Sequence, residues 1–469
     1  MRSVLGCLAA LMLAACGGAS NAPEASGRDG SDESLIPTPK PFVRDCSWLT
    51  HEDPELMNIF YPDTQAHYWL GVFAIPPGGE LWIEGEFPHA RYMSFNLYDP
   101  TLAPFDGLTD VLITPEPGSR NPFLPGADRT VNERQYRLRV VSATAPADPA
   151  QREPNTLYAG IRGIPMSVGI IMYRIYTPDR GTSLAGNVDL PDFRYYLPGG
   201  VEMSVPDSCA FLEQTRLGLG LNAQLAAMNL SALPVPLAPT NPLDWKRFHN
   251  PALTVTEVLG RAGLAQLPVY DPIRQLLLDS GLQGGFMSNR DNSYVAVPIN
   301  NSAGELVVIA SRKPSTPATW ENAARMQPAQ LRYLSLCSVD FPTQRYWDCL
   351  YDEQLSKLGS SDDYIIVVSH ADQRPANARP ECGVAWLNWG PLSSAALILR
   401  NMLPSPDFTA AVQNITELDT EREVMGPYYP YGGYSTRAEF EALSDDPAGD
   451  AASCRPDVSS LRANFVSSR

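Results

Sequence analysis

Arg91-Tyr92-Met93-Ser94-Phe95-Asn96-Leu97-Tyr98-Asp99 has a counterpart far downstream, Arg332-Tyr333-Leu334-Ser335-Leu336-Cys337-Ser338-Val339-Asp340. In the first copy apolar and polar side chains nearly alternate, the period of a strand with one face on a core. Outward from these copies the correspondence continues. Gly79-Glu80-Leu81-Trp82-Ile83 precedes the first as Gly304-Glu305-Leu306-Val307-Val308 precedes the second. Ile170-Ile171-Met172-Tyr173-Arg174 with its Pro178-Asp179 turn is echoed by Leu397-Ile398-Leu399-Arg400 and Pro406-Asp407. Three matches in one order read as an internal duplication, so the expectation is a mainly β chain of two related domains in tandem.

Further strands are expected at Tyr136 to Val141, Tyr294 to Val297, Leu306 to Ile309, Tyr364 to Val368 and Ala395 to Leu399. Between them Leu, Ala, Gln and Arg replace β-branched residues over Phe211 to Leu230 and Pro272 to Ser280, which predicts helix. Leu233-Pro234-Val235-Pro236-Leu237 breaks that stretch. The expected plan is therefore a first sandwich over 42–212, a helical connector over 213–290 and a second sandwich over 291–469.

The duplicated strand, with its Arg-Tyr-x-Ser pattern ending in Tyr98-Asp99, resembles the exported bacterial β-sandwich domains of unknown function in the twelve-fourteen and twelve-fifty-four groups. The resemblance covers about a third of the chain and implies a jelly-roll-like sandwich; it supplies no catalytic residues. The second copy departs from it, with Cys337 and Val339 where the first has Asn96 and Tyr98.

The N-terminus reads as an export signal over 1–15. Arg2 supplies a thin positive region and Val4 to Ala14 a short apolar one. Leu13-Ala14-Ala15-Cys16 resembles the bacterial lipobox, which implies cleavage before Cys16 and diacylglyceryl and acyl (palmitate-type) modification of its thiol. Gly17 in place of an Asp implies sorting to the outer membrane, on its periplasmic or surface face. Residues 16–41, rich in Gly, Ala, Ser, Pro and Asp, have too few large apolar groups to bury and are expected to act as a flexible tether.

Of eight cysteines, Cys7 leaves with the signal and Cys16 takes lipid. The remaining six permit 15 pairings, and an even number in an exported chain reads as disulfides. Locality favours Cys46 with Cys209, Cys337 with Cys349 and Cys382 with Cys454. No close CxxC or CxH spacing among them suggests a metal. A formal net charge of −17 disfavours nucleic acid and anionic lipid as partners, leaving the lipid on Cys16 as the membrane attachment.

Catalytic signatures are sparse. There is no Gly-x-Ser-x-Gly elbow, and Ser94, Ser335 and Ser369 fall in expected strands. Gly218-Leu219-Gly220-Leu221 lacks the spacing and context of a nucleotide loop, so no cofactor is expected. Among the five His, His51, His67 and His89 share a stretch with Asp53, Glu55, Asp63 and Glu86. His89 stands out, since Phe87-Pro88-His89-Ala90-Arg91 places it in a turn entering the duplicated strand. His89 and Arg91 are therefore candidate ligand contacts. Trp386 and Trp389, with Tyr428, Tyr429 and Tyr431, form two aromatic loops that could grip a small molecule, a glycan or an envelope protein; the plainer expectation is that they latch or cover the sheets. The leading expectation is a membrane-anchored envelope binding or accessory module. The competing one is an envelope hydrolase with a His/carboxylate site.

Overall fold

The computed structural model describes residues 46–52, 61–99, 104–161, 163–219, 238–248, 256, 260, 263–279, 287, 289–340, 345–359, 362–417 and 419–457. The export signal, Cys16, the 16–41 tether, Asp53, Glu55, His249, the Leu233–Leu237 break and the expected helix beyond Leu219 lie outside them; of His51 only the backbone pairing is described.

The first half forms β1 (Trp48–Glu52), β2 (Ala66–Ala74), β3 (Glu80–Glu86), β4 (Ala90–Tyr98), β5 (Pro104–Thr109), β6 (Gln135–Val141), β7 (Thr156–Tyr158), β8 (Gly160–Ile161), β9 (Ile164–Pro165), β10 (Val168–Pro178), β11 (Asp192–Leu197) and β12 (Val201–Glu202). They assemble in the orders β1-β2-β10-β4-β5 and β12-β11-β3-β6-β7, with β8 and β9 a separate hairpin. The second half forms β13 (Lys246–Arg247), β14 (Asn292–Asn300), β15 (Leu306–Arg312), β16 (Leu331–Asp340), β17 (Arg345–Tyr351), β18 (Asp363–Ser369), β19 (Val384–Asn388), β20 (Ser394–Pro404) and β21 (Tyr431–Ser435). Their orders are β13-β14-β20-β16-β17 and β19-β18-β15-β21.

The duplication is visible in the pairing. Arg174 of β10 stands opposite Ser94 of β4, and Arg400 of β20 opposite Ser335 of β16. Each half also has one parallel pair, β6 with β7 and β18 with β19, inside otherwise antiparallel sheets. The Gly79 and Gly304 match needs correction by one residue. Leu81 and Ile83 face the first core, but in the second it is Val307 and Ile309 that face inward, while Leu306 and Val308 pack on the outer side. A one-residue slip exchanges the faces of a strand, and a short apolar run does not reveal which face is in.

Each sandwich closes on its own core. In the first, Phe95 stacks on Tyr173 at 4.9 Å, with Leu81, Ile83, Leu138 and Val140 across from them. In the second, Val295, Val307, Ile366, Leu387 and Leu399 meet Trp389 and Tyr429. The expected connector is partly strand: Leu243 and Trp245 are fully buried in the second core and Lys246 pairs with Ala296. The second sandwich therefore begins well before residue 291; Leu243-Asp244-Trp245 alternates, but over too few residues to outweigh the surrounding prolines. The helix expected from Phe211 spans Val205–Leu219, and Ser204 Oγ accepts the Asp207 N–H at its start. The second expected helix spans Tyr270–Asp279. Three disulfides close in the expected pairs, Cys46–Cys209, Cys337–Cys349 and Cys382–Cys454. Among the described residues no helix is long and apolar enough to cross a membrane.

Candidate functional site at the junction of the two sandwiches

The residues richest in chemistry converge where the outer faces of the β2-β10-β4 and β14-β20-β16 sheets meet. Arg91, at the start of β4, is fully buried; its guanidinium donates to Asp352 at 2.6 and 2.7 Å, to Glu353 at 2.5 Å and to Thr319 at 2.9 Å. Arg332, the same position of the second copy, donates to Asp110 at 3.2 Å and to the carbonyls of Arg91 and Phe123 at 3.1 Å. Asp110 in turn accepts the Met93 N–H and Asp352 the Leu334 N–H, again equivalent positions. Each carboxylate is held by its own sandwich and neutralised by the arginine of the other, so the two ion pairs cross.

A second layer repeats the device. Arg400 pairs with Asp63 and donates to the Tyr61 carbonyl at 3.0 Å, while Tyr333 and Ser335 also donate to Asp63. In the other copy Arg174 donates to Asn96 and, at 2.5 Å, to the Met287 carbonyl. Tyr92 donates to Asp291 at 2.6 Å, and Thr109 to the same carboxylate. The segment before β2 thus reaches the second sandwich, and the segment before β14 reaches the first. Tyr61 and Met287, which offer the carbonyls, both have positive φ, 53° and 52°. Such a conformation is uncommon for side chains of this size and is held by its surroundings.

Burial sets the electrostatics. It pushes the Asp110 carboxyl up to about 6, with Arg332 and the Met93 N–H opposing. Burial likewise raises Asp291 and Glu353. For Arg91 burial works against the charge, and Asp352 outweighs it, leaving the pKa above its ordinary value. Asp63 lies beside Cys337 and Cys349, but the two sulfurs are bonded to each other and offer no thiolate to a metal.

The individual candidates divide. Arg91, Trp389 and Tyr429 are fully buried and correct the ligand-contact expectation: Arg91 joins the sandwiches, Trp389 lies in the core with His370 at 5.6 Å, and the Tyr429 hydroxyl accepts the Trp245 N–H. Their aromatic or charged character signals burial with a partner as much as recognition. Trp386 is half-buried, donating to Ser369 Oγ at 2.9 Å with Arg374 stacked at 4.6 Å. Tyr428, also half-buried, packs edge-on against Phe408 and accepts from Gln330, and half-buried Tyr431 sits on Tyr429. These loops cover the second sandwich.

His89 is half-buried in its turn. Burial lowers its pKa and Arg134 adds to the effect, with Asp179 opposing. Among the described residues its imidazole makes no hydrogen bond, and the Asp179 carboxylate is engaged by Arg129. His67 lies on buried β2, opposite Ile175 of β10. The crossed pairs, which sequence reasoning missed, were signalled by Arg91 and Arg332 at identical positions of the duplicated strand.

Among the described residues, depressions on the first sandwich include a pair. One, of about 520 Å³, is bordered by Glu84, Glu86, Glu116, Asp189 and Asp192 with Arg137. The other, of about 310 Å³, lies between Ser47, Phe193, Met203, Val205 and Ser208.

No family model matches the chain, and no curated protein matches it. Among solved structures it is similar to a putative uncharacterized protein from Burkholderia cenocepacia, at 12% identity over 77% of this chain and 79% of that one, with a TM-score of 0.39. It is also similar to the VPA0106 protein from Vibrio parahaemolyticus, at 11% identity over 80% of this chain and 90% of that one, with a TM-score of 0.35.

Proposed function

We propose that this chain is a lipid-anchored cell-envelope module that binds a ligand or assists a partner, presenting its two sandwiches as one fixed body. The observation that carries the reading is the crossed pairing of Arg91 with Asp352 and Arg332 with Asp110. We take these buried pairs to hold the sandwiches in one docking geometry, since removing one partner of a buried pair is strongly destabilising. A fixed two-lobed body suits presentation of a surface at a membrane, whereas a cleft enzyme commonly needs its lobes to move. Three disulfides accord with an oxidising compartment, and Leu13-Ala14-Ala15-Cys16 with acylation and outer-membrane sorting. The surface charge disfavours nucleic acid.

The test is intact and ligand mass spectrometry on protein purified from its native membrane. The expected result is an acylated Cys16, no free thiol in the body, and a co-purifying small molecule, glycan or envelope protein. An unmodified Cys16 in mature material overturns the anchor, and a body with free thiols overturns the compartment.

A second reading, an envelope hydrolase, is favoured by His89, half-buried near Asp179 with its pKa lowered by burial and Arg134, which favours the unprotonated imidazole that a general base requires. Hydrolysis of envelope esters or glycans that falls by about 10²-fold or more in a folded His89→Ala variant would replace the binding reading with this one.

A further inference from the structure

We propose that the turn at His89 binds a small oxyanion, the carboxylate or phosphate group of a ligand. The proposal rests on the binding reading above and names the chemistry of one ligand group.

The ground beneath this turn is cationic. Arg129 and Arg134 are both buried, 5% and 2% exposed. Arg129 pairs with Asp179 and donates to the carbonyls of Ala323 at 2.7 Å and Ala90 at 3.2 Å. Arg134 donates to the carbonyls of Val131 at 2.6 Å, Phe87 at 3.2 Å, Pro88 at 3.3 Å and Arg129. Among the described residues no carboxylate pairs with it; Asp179, Glu86 and Asp128 act on it from beyond hydrogen-bond reach. One carboxylate between two guanidiniums leaves a positive charge in excess, and an uncompensated buried charge is costly. Burial, and then Arg129, push the Arg134 guanidinium down to about 10.

His89 stands over this charge. Phe87 and Pro88, whose carbonyls Arg134 holds, lead directly into it. Its backbone N–H donates to the Gly186 carbonyl at 2.9 Å, and its carbonyl accepts the Asp179 N–H at 3.0 Å, so the backbone is fixed from both sides. Gly186, at φ 68°, seats the neighbouring turn flush: a Cβ there would stand 2.7 Å from Pro88 and 2.8 Å from the His89 nitrogen. The half-buried imidazole itself has no hydrogen-bond partner among the described residues. Arg134, Asp179 and Arg129 face it. Burial and Arg134 lower its pKa, so the imidazolium is disfavoured until a negative charge arrives.

The second copy shows what the fold needs at these positions. Gln330 precedes Arg332 as His89 precedes Arg91, and its carbonyl accepts the Ser405 N–H at 2.9 Å as that of His89 accepts the Asp179 N–H. The Gln330 amide is engaged, donating to the Tyr428 hydroxyl at 3.0 Å and accepting the Ser315 N–H at 2.9 Å. Neutral Gln330 and Ser405 therefore suffice to hold the turn. In the first copy a titratable ring and an ion pair stand in their place, and the ring is left open to a ligand. An anion supplies the missing charge and accepts the imidazole N–H in a charge-assisted bond. The net charge of −17 does not prevent this, because its field is screened beyond about 8 Å at physiological ionic strength.

The test follows the histidine ring protons of the full chain by NMR during titration with inorganic phosphate and, separately, with acetate, at constant ionic strength. His89→Gln, which places the second copy's residue there, assigns the His89 resonance by its loss. Phosphate, acetate or both should shift that resonance saturably, with a dissociation constant on the order of 1–10 mM. At saturation the His89 pKa should rise by about one unit, a tenfold preference of the anion for the imidazolium. A response to phosphate alone marks a phosphoryl ligand and a response to acetate alone a carboxylate; either supports the site. His370, with Nδ1 at 2.8 Å from the Gly390 carbonyl, should stay unmoved. A His89 resonance unmoved at about 100 mM of both anions overturns the proposal. Movement of His370 by the same amount also overturns it, since that marks a bulk salt effect. Should His89→Gln not fold, the parent titration still decides, because a single histidine should respond. The binding reading fails separately, when protein from its native membrane carries no ligand at all.

Discussion

The two sandwiches share the strand order of one sheet, a second sheet that differs by the extra strand β12, a parallel pair each and an Arg-Tyr-x-Ser strand, yet their centres differ. In the second, buried Arg400 touches a carboxylate, Asp63, and Cys337 is bonded across the strands to Cys349. In the first, the corresponding positions hold Arg174 on the neutral groups Asn96 and Met287 O, and Asn96 stands opposite Gly107. A side chain at Gly107 would sit 2.6 Å from the Asn96 amide, so this pair is as closely fitted as the disulfide it replaces. Tyrosine faces flank both guanidiniums, Tyr68 at 5.5 Å and Tyr98 at 5.7 Å for Arg174, Tyr294 at 5.3 Å and Tyr176 at 5.9 Å for Arg400, so the carboxylate is what distinguishes the second centre. The crossed pairing at the rim is kept in both directions, with Arg91 on two carboxylates at shorter contacts than Arg332 makes to one, while the centres have diverged. The difference teaches that the joint depends on reciprocity at its edge and tolerates more than one way to neutralise a buried guanidinium.

Breaking the rim should have the largest effect. Arg91→Met leaves Asp352 and Glu353 buried without their cation and should lower unfolding free energy by about 3–5 kcal/mol in urea titrations. Arg332→Met, at longer contacts and slightly exposed, should cost less, about 1–3 kcal/mol. Equal losses would show that the two directions of the cross are equivalent. Next comes the disulfide present in one copy only. Replacing Cys337 and Cys349 together by Ala opens a loop with a sequence separation of 12 and should cost about 3 kcal/mol by the same measurement.

Smaller effects sharpen the comparison at the centres. Tyr333→Phe removes one donor from buried Asp63 and should cost about 1–2 kcal/mol; Tyr92→Phe removes one from Asp291 and should cost about the same. A much larger loss for Tyr333 would mean that the Asp63 and Arg400 pair carries the joint alone. The smallest effect concerns pH. Because the folded Asp110 carboxyl is raised to about 6 from 3.8, the folded state binds its proton more readily than the unfolded chain does. Its contribution is therefore present at low pH and is lost as pH rises through about 6. Between pH 5 and 7 this amounts to about 1 kcal/mol, read as the difference between the stability profiles of the parent and Asp110→Asn. A flat difference would place Asp110 in a wetter setting than its burial indicates.

Local pattern alone determined much here. Near-alternation located β4, its downstream match located β16, and the order of three short matches revealed the duplication. The even cysteine count and simple locality yielded the three disulfide pairs, because nearby cysteines and domain ends are brought together by chain connectivity itself. The inward face of β15 was not legible, since Leu306-Val307-Val308-Ile309 is apolar on both sides. The short strand at Lys246–Arg247 was hidden among prolines. Tertiary structure alone decided that Arg91 and Arg332 exchange carboxylates: partners separated by more than 200 positions share no local signal, and a buried arginine and a ligand-binding arginine are the same letter. It alone decided, too, that Trp389 and Tyr429 lie inside. An aromatic ring beside turn residues suits a core or a surface equally well, and only the packing of one sheet against another chooses between them.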